Sequence, residues 1–237
     1  MDFNIDFRGK FKTDCHFYMS RLHIDSITKS FGEKEILKDI YLGLDTGKIT
    51  GLLGRNGSGK STLFQIIFGS LKGETQYIKF NETILQKQSD RKNRIAYLPQ
   101  HSFLPKNVKI KSLIKLFCDK EDAQKLYDLN LIHPFLNEIP KALSGGELRL
   151  VEVMLIICSK AEFILLDEPF HSLSPKIITE VKAMIKKQTK KGFLISDHQY
   201  QDVLEISYEN FLLSEGNLSL IKDLTELQRL NYLPKNI

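Results

Sequence analysis

The sequence predicts an α/β fold with a mostly parallel sheet, an antiparallel β layer on its N-terminal side and an inserted helical subdomain. Short apolar runs of strand length, such as 49–53 and 163–166, are separated by segments of helical periodicity. Residues 21–27 and 40–44 instead alternate apolar and polar side chains, which is typical of half-buried antiparallel strands. Residues 101–143 are rich in Lys and Leu, contain prolines as breakers and have no strong strand pattern.

The elements of the N-terminal half follow from this pattern in order. After the two alternating strands, Asp45-Thr46-Gly47 turns the chain into the buried strand 49–53. Residues 63–68 come next and show one apolar helical face. The N-terminal half therefore predicts an antiparallel layer that leads into a buried strand and then a helix.

The C-terminal half alternates between helices and strands. Residues 148–158 predict an apolar helix, 163–166 a buried strand, and 193–196 another. Between those strands, 176–191 place apolar residues on one helical face, namely Ile177, Ile178, Val181, Met184 and Ile185. The end of the chain predicts a hairpin over 211–221 that turns at Glu215-Gly216-Asn217, with a short helix from Asp223.

Length and composition indicate a folded domain of moderate size. The 237 residues are 42% hydrophobic and 27% charged, which is ordinary for a chain with a sizeable core. The longest apolar run, 153–158, is far short of the roughly 18 residues of a spanning helix. A net charge of +5 without a basic block predicts a solvated lysine-rich surface, with docking on an anionic membrane or nucleic acid as the alternative.

The N-terminal segment and the cysteines give further expectations about domain organisation and cellular compartment. Residues 1–19 have no clear period and no secretory cleavage site, so we predict an extension or a misassigned start at Met1. Residues 20–237 are then one domain, with the helical subdomain at about 101–160. Three cysteines without metal-like spacing predict free thiols in a reducing cytosol, at Cys15, Cys118 and Cys158.

A glycine-rich loop lies between the buried strand 49–53 and the helix that follows it. Its glycines permit unusual backbone conformations and close approaches, so that N–H groups at a helix N-terminus can bind phosphate. Lys60 is expected to reach the β- and γ-phosphates, and Ser61 to hold Mg²⁺. We therefore predict the core of a P-loop NTPase whose binding loop comprises Gly54, Arg55, Asn56, Gly57, Ser58, Gly59, Lys60, Ser61 and Thr62.

Two carboxylates follow the buried strand 163–166. Asp167 at the strand tip is placed to bind Mg²⁺, directly or through water. Glu168 is placed to polarise a water for in-line attack on the γ-phosphate. The alternative is a strand end with two solvated acids, which the phosphate loop earlier in the chain disfavours.

A second exposed helix N-terminus is predicted at Leu143-Ser144-Gly145-Gly146-Glu147. Two glycines follow Ser144 and precede an apolar helix, and an exposed helix N-terminus of this kind is a second anion site. A plain helix capped by Ser144 is the alternative. Because one chain cannot fold both helix ends around one triphosphate, we expect the second end to serve another subunit.

Taken together, these motifs resemble the nucleotide-binding subunit of ATP-binding cassette (ABC) transporters over about residues 21–221. Residues 54–62 resemble the Walker A loop and 143–147 the family signature, with Glu147 in place of the commoner Gln. Phe31 matches the aromatic residue that stacks on adenine, Gln100 the Q-loop glutamine and Asp167 the Walker B acid. Glu168 matches the catalytic carboxylate and His198 the switch histidine.

The resemblance implies a transport-coupled ATPase that binds Mg²⁺ with ATP. It assigns catalysis to Glu168, His198 and Gln100, and Mg²⁺ to Ser61, Gln100 and Asp167. It implies a second ABC ATPase subunit, expected to form a homodimer, and a membrane-spanning partner. The expected location is peripheral, on the cytoplasmic face of a cell membrane, with no nucleic acid partner.

The sequence also departs from the family pattern. Ser174 stands where an Asp is usual, which removes a charge at the subunit interface. Leu150 stands where an Arg is common, with Arg149 one position earlier, and 154–157 replace the usual small residues and another Arg. Two alternatives remain: a soluble ABC ATPase acting on ribosomes or DNA, and a nucleotide-gated subunit with weak hydrolysis.

Overall fold

A computed structural model describes residues 19–229 and residue 232; the predicted extension 1–19 lies almost wholly outside them. The chain alternates strands and helices after two long N-terminal strands. In chain order the elements are β1 (Arg21–Phe31), β2 (Lys34–Asp45), β3 (Ile49–Leu53), α1 (Lys60–Phe68), β4 (Thr75–Phe80), β5 (Thr83–Ile84), α2 (Gln88–Arg91), β6 (Ile95–Leu98), α3 (Ile110–Phe117), α4 (Lys120–Asp128), α5 (Gly145–Ile157), β7 (Phe163–Asp167), α6 (Pro175–Lys187), β8 (Gly192–Ser196), α7 (Tyr200–Ile206), β9 (Glu209–Ser214), β10 (Asn217–Ile221) and α8 (Leu224–Arg229).

The N-terminal sheet is antiparallel, as predicted. Its strand order is β2-β1-β4-β5, and every neighbouring pair runs antiparallel. Its apolar face is buried, because Leu22, Ile24 and Leu42 point inward along β1 and β2 with no exposure to solvent. The sequence pattern did not predict β4 and β5.

The second sheet contains the P-loop strand and is mostly parallel, which confirms the predicted fold class. Its order is β10-β9-β3-β8-β7-β6, and only β10 runs antiparallel to its neighbour. Parallel strands place their carboxyl ends on one edge, where ligands bind in open α/β sheets. The ends of β3, β7 and β8 therefore bring the loops after Leu53, Asp167 and Ser196 together.

Two apolar clusters fill the molecule, one on each face of this second sheet. Helix α1 packs between the two sheets through residues such as Phe64 and Ile67, which are completely buried. On the other face, α3 to α7 share one cluster with β7 and β8. All five residues of β7 are buried, which explains its unbroken apolar run.

The stretch between β6 and β7 is helical, with α3, α4, α5 and two 3-10 turns at His133–Phe135 and Pro140–Ala142. Both turns have a proline in their first residues. The helices of this stretch bury apolar residues in the same cluster as α6, so the boundaries of the predicted subdomain stay a prediction.

Several predicted boundaries shift by a few residues. Helix α1 begins at Lys60, inside the phosphate loop, and α6 ends at Lys187, before the predicted residue 191. The predicted C-terminal hairpin is confirmed, with Glu215 and Gly216 at φ values of 51° and 82° in its turn. Within the described residues, no helix has the length and apolar character needed to span a bilayer.

Candidate active site

The glycine loop joins β3 to α1 in a conformation that only small residues allow. Gly59 has a φ of 106°, and a Cβ there would lie 2.8 Å from a methyl carbon of Ile36. Gly57 also has a positive φ, of 75°. Left-handed backbone and close packing both require glycine, so the loop exposes the N-terminus of α1.

Lys60 is buried at the start of α1 and crosses the loop. Its Nζ donates to the carbonyl oxygens of Gly54 and Arg55, at 2.7 and 3.0 Å. Burial lowers the pKa of the Lys60 ammonium, whereas the nearby carboxylates of Asp167 and Glu168 oppose this shift. The Lys60 ammonium therefore lies near both acids, and a bound triphosphate would add negative charge that further favours its charged form.

A cavity of about 420 Å³ opens over this loop and collects most of the predicted site residues. Phe31 lies at its edge with 53% of its surface exposed, and the Nζ of Lys29 is 5.2 Å from the centre of its ring. The residues that line the cavity are Phe31, Ile36, Asn56, Gly57, Gly59, Lys60, Ser61, Thr62, Gln100, Glu168 and His198.

Three predicted catalytic side chains meet at one carboxylate oxygen. The Oε1 of Glu168 accepts from the Nε2 of Gln100 at 3.0 Å and lies 2.6 Å from the Nε2 of His198. Glu168 is buried and has a φ of 55°, which is uncommon for a residue with a Cβ. Its N–H donates to the carbonyl of Ser196 at the end of β8. The strand ends therefore fix the backbone that aims this carboxylate.

Asp167 lies one residue earlier, at the buried end of β7. Its Oδ2 accepts from the hydroxyl of Tyr97 at 3.2 Å, whereas its Oδ1 is buried without a hydrogen-bond partner among the described residues. Burial raises the pKa of Asp167, and the neighbouring hydroxyl groups of Ser61 and Tyr97 oppose the rise. A buried oxygen without a partner beside the Ser61 hydroxyl fits a cation bound with the phosphates.

The signature residues 144–147 do not line this cavity but form the N-terminus of α5. Ser144 caps the helix, and the Oε2 of Glu147 accepts from the Ser144 N–H at 2.8 Å and from its hydroxyl at 2.6 Å. A Cβ on Gly146 would lie 2.7 Å from the carbonyl of Ser172, whereas one on Gly145 would meet no described atom within 4 Å. Contacts among the described residues therefore explain why position 146 requires glycine, but not why position 145 does.

Sequence reasoning missed three polar residues of the site, of which Asp197 and Arg149 are buried and Tyr97 is half-buried. Besides Tyr97, Asp197 accepts from the N–H groups of Phe170 and Gln199 at 2.8 and 2.9 Å, and burial raises its pKa. Arg149, which the sequence presented only as a displaced arginine, points inward at the end of β7. A charge inside the apolar helix pattern is the signal that could have revealed Arg149.

Ser174 occupies the N-cap position of α6, with Pro175 as the first helical residue. Its side chain makes no capping hydrogen bond, so the helix start depends on the backbone and on Pro175. The fold therefore accommodates the departure at Ser174 without using its hydroxyl.

The sheet order, the glycine loop and the paired acids define a P-loop nucleoside triphosphatase. A family model described as "ABC transporter" matches residues 37–171, more than half of the chain. The chain therefore belongs to the ABC transporter family.

Known relatives agree with this assignment. The lipopolysaccharide export system ATP-binding protein LptB of Escherichia coli strain K12 is 27% identical over 215 residues, covering 84% of this chain and 89% of that protein. The sulfate/thiosulfate import ATP-binding protein CysA of Synechocystis is 30% identical over 216 residues, covering 86% of this chain and 61% of that protein. A solved nucleotide-free ATP-binding cassette from an ABC transporter matches with a TM-score of 0.75 at 21% identity, covering 91% of this chain and 96% of that one.

The family membership supplies the activity that the sequence predicted. The chain is an ATP-binding and ATP-hydrolysing subunit of an ABC transporter. Such a subunit works with a second ATP-binding subunit and with a membrane-spanning partner.

Proposed function

We propose that this subunit hydrolyses ATP in composite sites, each formed by the cavity of one subunit and residues 144–147 of a second copy. The observation that carries the proposal is the meeting of Gln100 and His198 at Glu168, inside the cavity lined by the glycine loop. The open space beside Gly145 supports the second half of the proposal, because a partner's phosphate can approach the N-terminus of α5 there.

In this proposal the glycine loop binds the triphosphate through backbone N–H groups, and Lys60 contacts the β- and γ-phosphates. Phe31 offers an exposed ring on which the adenine stacks. Ser61, Gln100 and Asp167 would hold Mg²⁺, directly or through water. A bound Mg²⁺ ion would neutralise negative charge on the phosphate oxygens.

Glu168 orients the attacking water and takes up its proton in this scheme. Its buried carboxylate and fixed backbone restrict where the water lies, which is the main protein contribution to phosphoryl transfer. His198 bonds the same oxygen and remains 45% exposed towards the cavity, so it can contact the γ-phosphate.

We further propose that this subunit lies on the cytoplasmic face of the membrane and that the membrane-spanning partner docks into a second cavity of this subunit, beside Gln100. This cavity of about 1020 Å³ lies between β6, α2, α3 and the end of α5 and includes Pro99, the residue before Gln100. Leu116 on its rim is 72% exposed, whereas Phe103 and Phe117 form part of its apolar wall. Movement of a docked helix would then reach Gln100 directly.

The substitution Glu168→Gln tests the catalytic assignment. The amide keeps the shape and burial of the side chain but cannot accept the proton, so turnover should fall by at least about 100-fold. ATP should still bind, and an ATP-bound dimer should accumulate in size-exclusion chromatography. Phosphate release, nucleotide binding and dimer fraction are the measurements.

Glu180→Gln is the matched control, because Glu180 is an exposed residue of α6 outside the cavity. Wild-type turnover in the Glu180 variant shows that a lost carboxylate alone does not reduce activity. Unchanged hydrolysis in the Glu168 variant would remove Glu168 from the proposed mechanism.

A further inference from the structure

Helix α5 contains a buried ion pair that none of the predicted roles uses. The helix is apolar along most of its length, yet Arg149 and Glu152 are only 5% and 2% exposed. The Nη1 of Arg149 lies 3.6 Å from the Oε2 of Glu152, one helical turn away. Buried ion pairs contribute little net stability, so their presence calls for another explanation.

The guanidinium of Arg149 binds three backbone carbonyls from two different segments. Its Nη1 donates to the carbonyl of Pro99 at 2.8 Å. Its Nη2 donates to the carbonyls of Asp167 and Glu168, at 2.6 and 2.9 Å. The planar fork of an arginine fixes the relative positions of such acceptors, which a lysine ammonium cannot do.

Glu152 adds a hydrogen bond to the backbone of the same segment, four residues beyond Pro99. Its Oε1 accepts from the N–H of Phe103 at 3.2 Å. Together, Arg149 and Glu152 therefore hold the segment 99–103 at both ends, with Gln100 between them.

The backbones held by Arg149 belong to the residues whose side chains meet in the active site. The Nε2 of Gln100 donates to the Oε1 of Glu168 at 3.0 Å on the cavity side. The guanidinium of Arg149 binds the carbonyl of Pro99, which precedes Gln100, and the carbonyl of Glu168 itself. A shift of this guanidinium therefore moves both partners of that hydrogen bond.

The same helix begins with the signature residues. Arg149 lies four residues after Gly145, and Gly146 packs so closely on Ser172 that a Cβ would lie 2.7 Å from its carbonyl. The N-terminus of α5 thus touches the loop that follows Glu168, in addition to the contacts of Arg149. A displacement of the signature end would therefore be expected to reach the catalytic backbone through Arg149, about one helical turn away.

We propose that Arg149, supported by Glu152, is a positioning residue that couples the signature end of α5 to the geometry of Glu168 and Gln100 in the same subunit. The inference rests on the proposed function, in which the signature end contacts ATP held by the second subunit. When the signature end of one subunit closes on the ATP held by the second subunit, Arg149 then adjusts the position of Glu168 in the first subunit's own site. Arg149 provides a route between the two sites that does not require the charge missing at Ser174.

The test compares Arg149→Met, Arg149→Lys and the control Arg21→Met in steady-state hydrolysis and equilibrium ATP binding. Arg21 is an exposed residue of β1, so its variant makes the same chemical change away from the site. Both Arg149 variants should lower kcat by about 100-fold, the cost of a small misplacement of reacting groups. Affinity for ATP should stay at the wild-type value, and the dependence of rate on ATP concentration should lose its cooperativity.

Arg149→Lys decides the outcome if Arg149→Met does not fold, because lysine retains a buried positive charge beside Glu152. A wild-type kcat in Arg149→Lys would overturn the proposal. So would a parallel loss of ATP binding and of thermal stability, which is what a purely structural role predicts. Glu168→Gln separates the two proposals: if it retains turnover, the proposed function fails irrespective of Arg149.

Discussion

At the scale of single residues, the site contains carboxylates whose burial opposes folding. Asp167 has an oxygen without a described partner, and its pKa lies above the ordinary value of 3.8 because of burial. Asp197 shares the upward shift of the pKa for the same reason, although it accepts two backbone N–H groups. Groups that cost stability in the free protein are typical of functional sites.

The substitution Asp167→Asn should therefore stabilise the subunit while removing its activity. An Asp whose pKa is raised on folding retains its proton in the native state at pH values where the unfolded chain has lost it. Wild-type stability thus falls as pH rises from the ordinary pKa through the raised one, and the cost is complete above it. The variant should gain about 0.5–2 kcal/mol at neutral pH, with a gain that shrinks as the pH falls through that window.

Urea unfolding at several pH values measures this gain. Asp128→Asn is the control, because Asp128 is exposed on α4 and its amide replacement can still accept from Gln124. A variant at position 167 that is less stable than wild type at neutral pH contradicts the argument.

Some site residues could be predicted from the sequence and others could not. Lys60 and Glu168 belong to short motifs whose spacing carries their chemistry. Tyr97 and Arg149 act through contacts with residues 70 and 18 positions away, Asp167 in both cases, and no local pattern encodes such pairs. Their roles emerge only once β6, β7 and α5 are packed together.

At the scale of elements, the signature helix begins with an anion of its own. Glu147 closes a capping box with Ser144, and its hydrogen bonds to Ser144 lower the pKa of the carboxyl group. This carboxylate occupies the helix end that the proposed function gives to a partner's phosphate. In the proposed dimer the two anions would repel each other, so we predict that the charge on Glu147 opposes assembly.

The substitution Glu147→Gln should strengthen ATP-dependent dimerisation. The amide can still close the capping box but has no charge, so the dimer dissociation constant should fall several-fold. Sedimentation of the Glu168→Gln protein with and without this second change measures the effect. The difference should shrink as salt is added, and a weaker dimer in the double variant would refute the competition.

The elements were predictable where the pattern is local. Buried strands such as β3 and β7, the N-cap of α5 at Ser144 and the turn of the β9–β10 hairpin follow from apolar runs and turn residues. The short strand β5 was not predictable, because its two residues pair with β4 only in the assembled sheet. Boundaries such as the end of α6 depend on how the next strand packs.

At the scale of the whole molecule, the segment 95–103 contributes residues to both cavities. One contains Gln100 with the glycine loop, and the other contains Pro99 and Phe103. Arg149 and Glu152 hydrogen-bond the backbone of this segment at Pro99 and Phe103, so under the proposed function we expect a partner docked at the second cavity to influence Gln100 through it. This arrangement suits a subunit that converts hydrolysis into movement of a partner.

The substitution Leu116→Asp should separate hydrolysis from assembly with the membrane partner. Leu116 is exposed on the rim of the second cavity and has no role in the first. Placing a charge there should weaken binding of the membrane-spanning subunit by at least about 10-fold, while the isolated subunit retains its ATPase rate. Co-purification in detergent and phosphate release are the measurements.

Leu220→Asp is the matched control, since Leu220 is an exposed leucine on β10 outside that cavity. Retained co-purification in the Leu116 variant would contradict the proposed docking site. Loss of ATPase activity in the isolated Leu116 variant would contradict its separation from the active site.

The open space beside Gly145 has a consequence for how this chain can change over time. An alanine at position 146 would be rejected by Ser172 as soon as the chain folds, whereas an alanine at 145 meets no described atom of its own chain. A substitution at position 145 can therefore persist in a monomer that folds normally. If the proposed composite site is correct, we expect its effect to appear only when two subunits assemble around ATP.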